Sequence, residues 1–272
     1  MLELAGIIIL GILAQWMAWK LKIPAILPLI LIGLFVGPFS TLISEDGNKW
    51  IEPVFNGEFG LFPGESLFNF VSLAIALILF EGGLTLKTEE IKNVGTVISK
   101  LITLGSFITF ALAGVAAHFV IGLSWQISFL FSSLIIVTGP TVIEPMLRSV
   151  RPNKKVARLL RWEGIVIDPL GAILAILVFD LIMSQAATGQ LWQALGHLLQ
   201  ILGTGAIFGI AGGHLFGVAL RRYWIPDYLH DVGALLAVVV VFVVSNHLVH
   251  ESGLLAVTAM GVWMANMRDV PT

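Results

Sequence analysis

Apolar stretches of membrane-spanning length recur along the sequence, at roughly 4–19, 23–39, 67–86, 94–121, 125–147, 159–184, 191–219, 231–249 and 253–267. A spanning helix needs about 20 predominantly apolar residues, fewer where flanking side chains snorkel. Hydrocarbon offers backbone groups no partner, so such segments close their hydrogen bonds internally. The expected fold class is therefore an all-α polytopic membrane protein with about nine transmembrane helices. Composition agrees, since only 12% of the residues are charged, against about a quarter in a soluble domain. The chain contains no cysteine, which excludes disulfides and thiolate metal sites.

Charge sets the orientation. Lys20 and Lys22 follow the first segment, the reverse of a signal peptide, so 4–19 reads as a first membrane helix. Lys87, Lys92 and Lys100 come next, then the run Arg148, Arg151, Lys154, Lys155, Arg158 and Arg161, then Arg221, Arg222 and Arg268. Every one of these falls on the same side of a nine-segment topology, and only Lys49 falls on the other. Cytoplasmic loops carry the excess of Lys and Arg, so the N-terminus is expected outside and the C-terminus inside. The loop from Ser40 to Ser66, with Glu45, Asp46, Glu52, Glu58 and Glu65, is then external. It reads as a solvated surface loop, or else as a vestibule that attracts cations.

Two segments are interrupted where a bilayer helix should be continuous. The fifth holds Thr138-Gly139-Pro140 and then Glu144-Pro145; the sixth holds Glu163-Gly164 and then Asp168-Pro169. Proline lacks a donor and clashes with the carbonyl four residues earlier. Pro140 and Pro169 are thus expected to free the carbonyls of Ile136 and Ile165, and both segments are expected to be broken helices. Irregular backbone at membrane depth persists only where protein or a wet cavity satisfies it. Ionisable side chains there mark pathways or partners, and broken helices bearing carboxylates mark ion sites near the midplane.

Asp168 lies nine residues beyond the start of its segment, close to mid-membrane at about 1.5 Å per residue. Gly164 is four residues back on the same face and is expected to leave room for an ion or water. Desolvation disfavours the charged form of a carboxylate, which lets a proton and an alkali cation compete for it. Oxygen ligands for that cation would come from Asp168, the Thr138 hydroxyl and freed main-chain carbonyls. The alternative is a structural carboxylate paired to a basic residue. Glu163 projects from another face, and serves either as a second ligand across a distorted helix or as a partner of Arg161 or Arg158. Glu144 is expected to pair with Arg148 one turn on, and Asp180 to be interfacial. Glu81, in Leu79-Phe80-Glu81-Gly82-Gly83-Leu84, either snorkels towards Lys87 or belongs to the site.

Glycines recur four apart at Gly33 and Gly37, and at Gly205, Gly209, Gly213 and Gly217. Both sets are expected to be faces of close helix packing.

These pieces occur in one order. Ile23-Pro24-Ala25 with Leu34-Phe35-Val36-Gly37-Pro38 precedes Leu79-Phe80-Glu81-Gly82-Gly83-Leu84. Then come Thr138-Gly139-Pro140, Glu163-Gly164 with Asp168, and Gly253-Leu254-Leu255-Ala256-Val257. Together they resemble the bacterial monovalent cation:proton antiporters, the NhaP-like branch, over the whole chain. The resemblance implies an inverted-repeat fold with a dimerisation part and a moving core, a homodimer in the bacterial inner membrane, and H⁺ and Na⁺ or K⁺ as the transported ions. It implies a single exchanger domain over 1–272, with 1–184 the first repeat and 191–272 a linker helix and the start of the second. Asp168 matches the ion- and proton-binding aspartate, Glu163 the glutamate five residues before it, Thr138 the motif threonine and Glu81 the acid of the third helix. Gly139 replaces the motif aspartate, Ile167 an asparagine, and Gly164 a serine that often ligates the cation. One central carboxylate makes electroneutral exchange the expectation. Such antiporters have about a dozen or more helices, so the chain is expected to be incomplete.

Other classes fit less well. A channel would use rings of carboxylates, whereas prolines beside single acids fit alternating access. The cluster His247-Leu248-Val249-His250-Glu251 does not match His-Glu-x-x-His, and no acid–base–nucleophile set assembles, so no enzyme is expected. A non-transporting fragment that packs with a partner is the remaining alternative. Neither a cofactor nor nucleic acid is implied.

Overall fold

The computed structural model describes residues 2–44, 47–55, 60–63, 65–91, 95–183 and 190–267. Glu45, Asp46, Glu58, Lys92 and Arg268 lie outside the described residues, as do the side chains of Glu144 and Arg148. Among the described residues all regular secondary structure is helical, apart from one isolated bridge between Val54 and Phe62. Among the described residues, six helices are long and apolar enough to cross a membrane: Glu3–Leu21, Ser66–Leu84, Gly95–Ile121, Lys154–Met183, Gly196–Arg221 and Asp227–Leu248. Shorter apolar helices cover Ile26–Leu42, Trp125–Ile135 and Ser252–Ala265.

Two compact units divide the chain: Met1–Ser72 with Glu144–Pro152, and Leu73–Ile143 with Asn153–Thr272. In the first, α1 (Leu2–Leu21) and α2 (Ile26–Val36) are followed by a 3₁₀ turn, Pro38–Leu42. Ser40 is fully buried. Its hydroxyl lies 2.8 Å from the Val36 carbonyl and 2.7 Å from that of Gly37, and accepts from the Trp50 N–H at 3.0 Å. The ring of Trp50 meets Phe35 edge-on. The segment after Ser40 is therefore anchored to α2, and is not merely a solvated loop. Gly33 also departs from expectation: a Cβ added there would meet nothing within 4 Å. Its missing side chain opens a space instead of admitting another backbone.

The second unit contains most of α3 (Ser66–Leu84) and the following helices. α4 (Gly95–Lys100), a π-helical turn (Leu101–Gly105), α5 (Ser106–Ala116) and a second π turn (Ala117–Ile121) run on as one helix. α6 (Trp125–Ile135) packs on α5, with Phe129 against Gly114 and the buried Ser132 hydroxyl donating to the Phe110 carbonyl. Serine hydroxyls that bond across membrane helices hold them together where apolar burial drives nothing. Next come α7 (Pro140–Val150) and α8 (Lys154–Met183), then α9 (Gln190–Arg221), α10 (His230–Leu248) and α11 (Ser252–Ala265).

α11 is central to this unit. The glycine stripe of α9 meets its backbone: Gly205 faces the Ser252 carbonyl, Gly209 that of Ala256 and Gly213 that of Met260. On α3, Gly83 faces the Thr258 carbonyl and Gly261 the carbonyl of Phe80. Asn266, just past α11, completes the join. Its amide oxygen accepts from the Thr88 N–H (2.7 Å) and hydroxyl (2.6 Å), and its amide nitrogen donates to Leu86 (2.9 Å) and Val262 (2.7 Å). The core includes Ala76, Leu79, Phe80, Phe216, Val238 and Met260.

The sixth apolar segment is not broken. α8 runs unbroken from Lys154 to Met183 with Pro169 buried inside it, and Asn153 caps its start by accepting from the Val156 N–H at 2.9 Å. A proline removes a single bond from the ladder. In a helix of this length, packed on its neighbours, the remaining bonds carry the helix through.

Candidate cation and proton site

α6 stops at Ile135, and Val137, Thr138 and Gly139 are not helical. Pro140 then opens α7, with the Gly139 carbonyl accepting from Val142 (3.1 Å) and Ile143 (3.2 Å). Pro140 therefore starts a helix, a position where its missing donor costs nothing and its fixed φ is already helical. Pro145 does lie inside α7. At the end of α6 the last carbonyls have no intrahelical partners, and the chain between the helices is free to lie along α8.

It lies against two glycines of α8. Gly164 and Gly171 are two turns apart on one face. A Cβ at Gly164 would be 2.9 Å from the Thr138 carbonyl oxygen and 3.3 Å from Ile143 Cγ1, and one at Gly171 would collide with Val137. This corrects the expected role of Gly164: the space beside it is taken by the main chain of Thr138, not left for an ion or water. The Thr138 carbonyl oxygen occupies that space, one turn before Asp168.

The same approach joins two of the expected residues. The Thr138 hydroxyl donates to Glu163 Oε1 at 2.7 Å, a charge-assisted bond when the carboxylate is ionised. Glu163 thus has a hydroxyl partner across the break without any distortion of α8. Asp168 is half-buried, one turn beyond Gly164, and forms no hydrogen bond or ion pair among the described residues. The alternative of a carboxylate locked to a basic side chain finds no such contact there. Glu81 is exposed and makes no ion pair with Lys87 among the described residues. Its neighbour Gly82 lies against Ile165 of α8, so α3 touches α8 one residue away from the acid. Asp180 is exposed. His250 Nδ1 lies 3.2 Å from Glu251 Oε1, and among the described residues no three His, Asp or Glu side chains gather as a metal site.

The described residues thus form an all-helical array with six helices long and apolar enough to cross a membrane, in which the gap between α6 and α7 lies against the helix that bears Glu163 and Asp168. The family model for "Sodium/hydrogen exchanger, transmembrane" matches residues 6–270, and the chain belongs to that family. The Na(+)/H(+) antiporter 1 of Methanocaldococcus jannaschii is 30% identical over 169 residues, 61% of this chain and 36% of that protein. The K(+)/H(+) antiporter NhaP of Alkalimonas amylolytica is 25% identical over 269 residues, 98% of this chain and 44% of that protein. The solved sodium proton antiporter MjNhaP1 of M. jannaschii shares the fold, with a TM-score of 0.76 at 23% identity over 98% of this chain and 62% of that one. The chain spans less than half the length of these two curated relatives.

Proposed function

We propose that this chain carries the Asp168 half of a monovalent cation:proton antiporter, in which H⁺ and Na⁺ or K⁺ bind by turns at one acid and alternating access carries them across. The observation that bears most weight is the placement of Thr138, in the gap between α6 and α7, on Glu163 and Gly164 of α8. Hydroxyl, carbonyl and carboxylate oxygens suit a hard alkali cation, and Asp168 follows one turn on, its carboxylate without a hydrogen bond or ion pair among the described residues. Asp168, Thr138 and Glu163 are assigned to the ion site, Gly164 to the close approach that forms it, and Glu81 to an accessory position. Residues 1–184 form a first inverted repeat and 191–272 a linker helix and the start of a second. The chain lies with its N-terminus outside and C-terminus inside, nine segments crossing the bacterial inner membrane as part of a homodimer.

The test is a pH-gradient dequenching assay in everted vesicles holding this chain, run with Na⁺, K⁺ and Li⁺ beside Asp168→Asn. Cation-dependent dequenching in the wild type and none in the variant is expected, with no membrane potential generated in proteoliposomes. An active Asp168→Asn overturns the proposal, and a wild type silent with every cation favours a non-transporting fragment that packs with a partner.

A further inference from the structure

The first unit contains a cavity of about 460 Å³ between α1 and α2, roofed by residues 49–53. Its volume lies within the roughly 300–1,000 Å³ of small-molecule sites. Leu10, Ile32, Val36 and Ile51 line it, together with Gly11 and Gly33. A Cβ at either of these glycines would meet nothing within 4 Å, so the space is real and the protein's own side chains leave it unfilled. Away from Lys49 and Glu52 the walls are aliphatic and give water no polar partners. Such walls suit an apolar group.

The mouth of the cavity identifies it further. Lys49 Nζ and Glu52 Oε2 pair at 2.7 Å there, both only partly exposed. Trp50, between them, is half exposed and meets the exposed Phe35 edge-on. Indole and phenyl rings of this kind sit at the level of lipid headgroups, which places the apolar cavity at the depth of acyl chains. The rim carries one positive and one negative group. An anionic headgroup would set its phosphate beside the Glu52 carboxylate, whereas a zwitterionic one gives its phosphate to Lys49 and its ammonium to Glu52.

We propose that the cavity between α1 and α2 binds one acyl chain of a phospholipid whose zwitterionic headgroup lies on the Lys49–Glu52 pair. This site is independent of Asp168 and rests only on the chain being membrane-embedded.

The test is native mass spectrometry of the full chain after extraction from vesicles of phosphatidylethanolamine, of phosphatidylglycerol, or of both in equal parts. Wild type is expected to retain one phosphatidylethanolamine. Gly33→Leu and Gly11→Leu, which fill the cavity from opposite helices at positions with open space, are expected to lose it while keeping a wild-type circular dichroism spectrum. Lys49→Gln with Glu52→Gln is expected to abolish the preference between the two lipids. Unchanged lipid retention in both filled variants overturns the site. Preferential retention of phosphatidylglycerol by the wild type overturns the headgroup assignment. A dimer that dissociates in Gly33→Leu with its lipid count unchanged assigns the cavity to a second copy instead.

Discussion

Replacing Gly164 by alanine tests the contact on which the site is built. The added methyl would be 2.9 Å from the Thr138 carbonyl oxygen and 3.3 Å from Ile143 Cγ1. The first of these is backbone and cannot rotate away. Overpacking of this kind costs about 1–3 kcal/mol. Alanine also gains about 0.8–1 kcal/mol over glycine inside a helix, so the net change alone is small and ambiguous. Gly203 supplies the reference. It lies exposed within α9, where a Cβ would meet nothing within 4 Å, so Gly203→Ala keeps the propensity gain without the clash. The two variants should therefore differ by the clash itself, about 1–3 kcal/mol. At roughly 2–4 °C per kcal/mol for a chain of this size, thermal melts in detergent resolve that gap. Gly164→Ala should melt below Gly203→Ala, and should lose exchange activity because the Thr138 carbonyl and hydroxyl are pushed off α8. If Gly164→Ala melts at or above Gly203→Ala, the Thr138 main chain does not lie against α8.

Thr138→Val removes the donor to Glu163 while keeping the shape of the side chain. Hydrogen bonds to charged groups contribute about 1.5–3 kcal/mol, so the apparent cation affinity in the dequenching assay should fall by about ten- to a hundredfold, and Thr138→Ser should restore it. Asn266→Ala severs the bonds that tie the end of α11 to Leu86 and Thr88. It should lower stability by about 1–2 kcal/mol and speed amide exchange at Thr88, without altering cation preference.

Much of the architecture was legible because the bilayer forces it. Long apolar runs read as helices whatever packs on them, and the residues before Pro140 could be read as a break because Gly-Pro is a poor continuation of a helix. The same rule misjudged Pro169. Whether one lost bond interrupts a helix depends on how well its neighbours hold it, and that is tertiary information. Gly164 shows the limit in another way. Its spacing from Asp168 revealed a face without a side chain, but not whether an ion, water or another backbone fills it. The stripe at Gly205, Gly209 and Gly213 was readable as a packing face, yet its partner, α11, was not. Gly33 carries the same spacing and opens a cavity instead. Asn266 was missed altogether, since a lone amide after a helix has no periodicity to betray four bonds.

The glycine contacts of α11 have a mechanical consequence. Where Gly83 meets Thr258 and Gly209 meets Ala256, main chain rests on main chain, with no side-chain rotamers between them to absorb a push. A shear applied to the helix that bears Glu81 is handed undamped through α11 to α9, as through a laminated beam. The three are held to tilt as one layer, which leaves bending to backbone free of such lamination.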